Sequence, residues 1–152
     1  MRRERVQAGE RILLTLWVGG LWSVGYIVAP FLFARLEDRA LAGSLAGALF
    51  EIMAWLGLAC GGLLLLSNQL QSTGRRFNWR ALALAIMLVL ILVGQFALAP
   101  QIAGLREQGL AGTDAFARLH GVAAILYLLT SLLGLVLVAA GPDRGRWAPS
   151  SE

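Results

Sequence analysis

The sequence predicts an all-α polytopic membrane protein, with four transmembrane helices in an up-down bundle built as two tandem helical hairpins. Three observations carry that prediction. Of 152 residues, 58% are hydrophobic and 14% charged, against roughly 45–50% and about 25% in soluble domains. Residues 12–34, 52–74, 81–105 and 119–142 carry no formal charge, and each run exceeds the roughly 20 residues that cross a bilayer core as a helix. The runs are continuous rather than alternating, so helices, not barrel strands, satisfy their backbones in lipid. Third, LAGSLAGALFE at residues 41–51 returns 69 positions later as LAGTDAFARLH at residues 110–120. Leu, Ala, Gly and the following hydroxyl align, and Glu51 falls opposite His120. That register predicts two related hairpins, residues 12–70 and 79–140. Both odd helices run outward, so the repeats are parallel.

Taken in order, residues 1–11 form a basic cytoplasmic leader. The run behind them is too long for a signal-peptide core and offers no small-residue cleavage site, so it stays attached as the first helix. Thr15, Gly19, Trp22, Ser23, Tyr26 and Pro30 follow helical spacing on this helix, with Gly20 beside Gly19. Such a small and polar stripe suits close packing of a neighbouring helix. Pro30 lacks a backbone donor and kinks the outer end. Ser44 is the expected N-cap of the second helix. Gly43 with Gly47, and Gly57 with Gly61, are small-xxx-small pairs that permit close helix contact or a homodimer seam.

Glu51 lies about one turn inside the apolar segment, where a carboxylate costs on the order of 2–3 kcal/mol and needs a partner. A polar, basic loop at residues 71–80 precedes the third helix, expected over residues 79–99 and ending before Pro100. Gln95 is a neutral polar group inside that span and should bond to another helix. Residues 103–112 read as an outer loop. Thr113 or Asp114 caps the fourth helix. His120, Ala124, Tyr127 and Ser131 then share one face at i, i+4, i+7 and i+11. Residues 12–140 form the transmembrane domain, and residues 141–152 a cytoplasmic tail.

All thirteen basic residues are arginine, which together with the Ala, Gly and Leu bias matches coding in a GC-rich bacterium. Nine of them fall before the first span, between the second and third, or after the fourth. Arg35, Arg39, Arg106 and Arg118 fall on the other side. The positive-inside rule puts both termini in the cytoplasm, as a multi-pass protein of a bacterial inner membrane. The net charge of +4 therefore reports topology and lipid headgroups, not nucleic acid. One cysteine, Cys60, permits no internal disulfide.

WVGGLW with the following VAPFLF (residues 17–33), the LAG segment leading into a helix, and FARLH (residues 116–120) resemble small bacterial membrane proteins related to transmembrane protein 205. That resemblance covers nearly the whole chain. It implies a four-helix membrane protein of unestablished activity, with Gly19 and Gly20 in the first helix, Pro30 after them, and His120 opening the last.

For function, Glu51 and His120 suggest a binding or permeation module for a small solute or metal ion between helices 2 and 4, with Tyr127, Gln95 and Tyr26 as further lining. A non-catalytic scaffold or assembly factor is the alternative, with polar residues that only pack helices. A haem or redox subunit comes third, because one His and one Cys supply neither a bis-His haem nor a closed zinc site. No nucleophile triad, phosphate loop or zinc-protease motif points to an enzyme. No cofactor is required, although the carboxylate–imidazole chemistry admits a metal ion. The expected partners are the lipid bilayer and a second copy or another membrane protein.

Overall fold

In the computed structural model, residues 2–71 and 78–141 are described. Most of the basic loop and the tail (residues 72–77 and 142–152) lie outside them. The first span is α1 (Arg2–Ser23), a π-helical turn (Val24–Val28) and α2 (Ala29–Arg35) in one continuous helix. The second is α3 (Arg39–Gln71). The third joins α4 (Trp79–Leu92), a second π turn (Val93–Leu98) and α5 (Ala99–Glu107), and the fourth is α6 (Asp114–Ala140). Four helices are thus long and apolar enough to cross a membrane, and the described residues contain no strand. The basic leader is the first part of α1.

The four spans form a ring. Span 1 packs on spans 2 and 4, and span 3 packs on the same two. Exchanging the two hairpins maps these neighbour relations onto themselves. The centre is filled by Trp17, Met87, Ser131 and Leu137, each almost completely buried. Glycines allow this closeness. A methyl at Gly57 would stand 2.8 Å from Trp17 Nε1, one at Gly61 2.8 Å from Leu88 Cδ2, and one at Gly134 2.8 Å from Val18 Cγ2. Of the pair in span 1, Gly20 faces Met53, whereas Gly19 faces open space.

Three expected boundaries move. Pro100 does not end the third helix, which runs on to Glu107. A proline ring would strike the carbonyl four residues back, that of Phe96. The helix avoids the clash by widening the preceding turn, so that Ala99 N–H donates to Gly94 O, five residues back. The first span does the same before Pro30, with Ala29 N–H donating to Val24 O. Both turns open on Val-Gly, and their starts are 69 residues apart, the spacing already seen between residues 41–51 and 110–120. The Gln101 side chain donates to Ala97 O within the second turn, at 2.6 Å.

The second correction concerns α3, which starts at Arg39 rather than at Ser44. Asp38 Oδ1 accepts from Ala40 N and Leu41 N at 2.8 and 3.1 Å, so a carboxylate before Arg39 takes the first orphan donors. Third, the outer loop shrinks to the residues between Glu107 and Asp114. Leu110 N bonds Leu105 O, and Gly109, at φ 73°, adopts the left-handed conformation that ends α5. Thr113 caps α6 as expected, accepting from Phe116 N.

Candidate functional site

Around the first π turn, spans 1 and 4 are joined by aromatic and hydroxyl side chains. The Tyr127 hydroxyl donates to Leu21 O at 2.6 Å, and Trp22 Nε1 donates to Ser131 O at 3.3 Å. Ser131 Oγ donates to Leu128 O, which leaves its lone pairs for the Tyr26 hydroxyl at 2.7 Å. The Trp22 and Tyr26 rings lie 4.7 Å apart, and Phe50 of α3 meets Tyr127 edge-on at 5.0 Å. Gly25 is what lets Tyr127 in, because a methyl there would overlap its ring, 2.9 Å from Cζ. Each phenol uses its single donor on the protein, so the cluster is a clamp between the first and last spans rather than an open ligand site.

Of the residues singled out in the sequence, the structure therefore brings together Tyr26 and Tyr127. Gln95 sits half-buried in the second π turn, at the place Tyr26 takes in the first. Glu51 and His120 are not brought together. They belong to spans 2 and 4, which sit at opposite corners of the ring and meet through Phe50 and Tyr127, and both are exposed. No hydrogen bond or ion pair links them among the described residues. Instead, His120 stacks on Phe116, with ring centroids at 5.7 Å and planes 7° apart. No group of three or more His, Cys, Asp or Glu is placed to hold a metal among the described residues.

The glycine pairs also separate. Gly57 and Gly61 form a seam inside the bundle that receives Trp17, Ile91 and Leu88. Gly43 lies under the Arg106 guanidinium, with Gly47 beside it, so this pair seats a side chain and not a helix. Glu51 continues that stripe one turn further along α3. Pro30 is exposed.

Two sets of residues escaped the sequence. Arg106 counted there only as topology, because nothing in a one-dimensional pattern aims it across at α3. At the end carrying both termini, Glu10 bonds Ser67, Asn78 Nδ2 donates to Asn68 Oδ1 at 3.2 Å, and Arg80 reaches Gly141 O. These residues tie together the ends of all four spans. Glu10, Asn68 and Arg80, with Leu14, Leu64, Leu84 and Leu137, line a cavity of about 30 Å³, room for about one water. The available signal was Glu10, which with Glu4 is one of two carboxylates in a leader that carries four arginines.

The profile of the family described as a domain of unknown function, DUF4149, matches residues 12–111. The chain belongs to the DUF4149 family. The matched segment holds the first three spans, with both π turns, Glu51, Gln95, Tyr26 and the Gly57–Gly61 seam. His120, Tyr127 and Ser131 lie beyond it. Neither a curated protein nor a solved structure matches the chain. DUF4149 membership thus agrees with an integral membrane protein and supplies no activity.

Proposed function

We propose that this DUF4149 protein is a non-catalytic membrane scaffold or assembly module. The observation that carries the reading is the placement of its costly polar groups. The interior is filled by Trp17, Met87, Leu137 and Ser131, whose hydroxyl is spent on Leu128 O and Tyr26, while Glu51 and His120 are exposed on spans at opposite corners of the ring. A permeation path needs the reverse arrangement, with an interior lined by polar groups and an apolar exterior. The solute- or metal-binding reading would draw on the same two residues, which bind one ion only if spans 2 and 4 bring these exposed side chains together. The haem reading draws on His120, whose ring is stacked on Phe116 at the exposed surface.

The deciding experiment is purification from membranes in mild detergent, with elemental analysis, a visible spectrum and identification of co-purifying polypeptides. A scaffold is expected to retain protein partners or further copies of itself. A stoichiometric metal or a Soret band overturns the reading.

We further place the protein in a bacterial inner membrane, with both ends of the chain cytoplasmic, on the arginine distribution. Reporter fusions after Gly74 and after Glu152 should then read cytoplasmic, and one at Gln108 extracytoplasmic. An opposite result at Gln108 reverses the orientation.

A further inference from the structure

We infer that Arg106 and Glu51 form a strap between spans 3 and 2, an ion pair that holds the outer halves of the two hairpins together. The device goes beyond the scaffold reading and does not depend on it.

The place for a strap follows from the packing. In the inner half, α1 lies on both α3 and α6, and α4 lies on the same two helices. Outward of the π turns the partition changes. α2 and the first π turn pack on α3, whereas α5 and the second π turn pack on α6. Each outer segment thus stays with the other span of its own hairpin. A widened turn sits at the base of both α2 and α5, and widened turns are points where a helix changes direction. The outer halves therefore part more easily than the inner ones unless side chains cross between them. On the side of spans 2 and 3, Trp55 meets Phe96 edge-on at 5.8 Å, at the level of the second π turn. Further out, Arg106 crosses from α5 to α3.

The guanidinium is aimed. A methyl built on the buried Gly43 would stand 3.1 Å from Arg106 Nε and 3.3 Å from Nη2. The other amino group, Nη1, lies over Gly47, 3.7 Å from a methyl built there. Nη1 is thus directed along α3 towards Glu51 and away from Asp38, whose carboxylate caps the helix. Gly47 and Glu51 are about 6 Å apart along the axis. A helical side chain leans towards the N-terminus of its own helix, so a leaning Glu51 brings its carboxylate back over Gly47 and onto Nη1. No ion pair joins the two in this structure, and rotation of the Glu51 side chain is the movement that latches the strap.

Both groups gain from closure. Arg106 is half-buried, and among the described residues no acceptor meets its side-chain donors. Glu51 lies inside the apolar segment, where an unpaired carboxylate is costly. Opposite charges at the edge of the hydrocarbon also attract more strongly than in bulk water. Glycine at position 43 admits the guanidinium, because a side chain there would take the place of Nε.

The test is the distance between the outer ends of the hairpins, measured by pulsed electron resonance on full-length protein in lipid nanodiscs with the buried Cys60 changed to Ser. Spin labels on Ala34→Cys and Gln108→Cys report the outer ends, and labels on Ile12→Cys and Ala139→Cys the inner ends; all four positions are exposed. The outer distance should be narrowly distributed. It should lengthen and broaden in Glu51→Gln, and equally in Gly43→Leu, which removes the seat and neither charge, while the inner distance stays put. An outer distance in Glu51→Gln identical to that of the unsubstituted strap overturns the inference.

A second measurement needs no labels. In reversible unfolding in mixed micelles, Glu51→Gln and Arg106→Gln should each lower the folding equilibrium constant about three- to tenfold, the loss of one intramembrane polar contact. The double variant should be no worse than the poorer single one. Losses that add, as expected if a lipid phosphate takes the guanidinium instead, overturn the pairing, and so does a Glu51→Gln that loses nothing.

Discussion

Gly57→Ala is expected to destabilise the bundle by about 1–3 kcal/mol, the usual cost of forcing a methyl into a filled core. The new carbon would stand 2.8 Å from Trp17 Nε1 and 2.9 Å from Ile91 Cδ1. Neither neighbour has room to retreat, since Trp17 is fully buried and Ile91 nearly so. Trp17 also touches the Gly61 position, at 3.1 Å from Cη2, so displacing the indole disturbs two turns of α3 at once. Gly19→Ala is the matched control. It lies in span 1 close to Trp17 in sequence, but a methyl there meets nothing within 4 Å. Reversible unfolding in mixed micelles should show a clear loss for Gly57→Ala and none for Gly19→Ala. Equal losses would mean that both glycines are needed for backbone conformation and that the seam is not tight.

The second large effect belongs to the clamp at the first π turn. Gly25→Ala should cost as much as Gly57→Ala, because its methyl overlaps the Tyr127 ring and pushes the hydroxyl off Leu21 O. Tyr127→Phe keeps the ring and removes only the bond, so its cost should be nearer 1 kcal/mol, in the range of intramembrane hydrogen bonds. The informative variant is the pair. With Tyr127→Ala already in place the ring is gone, and adding Gly25→Ala should then be nearly neutral. That gives a coupling energy of about 1–3 kcal/mol in a double-mutant cycle. Additive losses would place the strain of Gly25→Ala elsewhere, in the π turn itself.

How much of this was legible beforehand follows a physical division. Charge-free runs longer than 20 residues specify spans, because the cost of a charge in hydrocarbon acts on each residue without regard to its neighbours. The N-cap of α6 is likewise local chemistry: of the two candidates, Thr113 and Asp114, Thr113 is the cap. Ser44 reads locally as a cap but lies inside α3, because Asp38, six residues earlier, caps the helix by accepting from Ala40 N and Leu41 N. Pro100 reads as a stop. In water that is the common outcome, but inside a long apolar helix, ending would strand backbone groups in lipid, so the chain widens one turn and continues.

The face of each helix is the harder matter. A soluble helix marks its buried side with apolar residues, whereas a membrane helix is apolar toward lipid and core alike. The pattern of Leu and Ile on α3 or α6 therefore does not say which way Glu51 or His120 points. Gly57, Gly61 and Gly134 mark the interior, and Gly19, Gly94 and Gly121, equally glycine, do not.

By itself, then, the sequence determined the number of spans, their common orientation in pairs, and a 69-residue register that recurs in the π turns. Each follows from local costs of charge, backbone satisfaction and chain direction. Only the tertiary structure decided that spans 2 and 4 sit at opposite corners, that Tyr127 spends its hydroxyl on Leu21, and that Glu51 and His120 are exposed rather than paired. Those depend on which small residues let which helices approach, a choice made among three-dimensional packings that one apolar sequence leaves nearly equal in hydrophobicity.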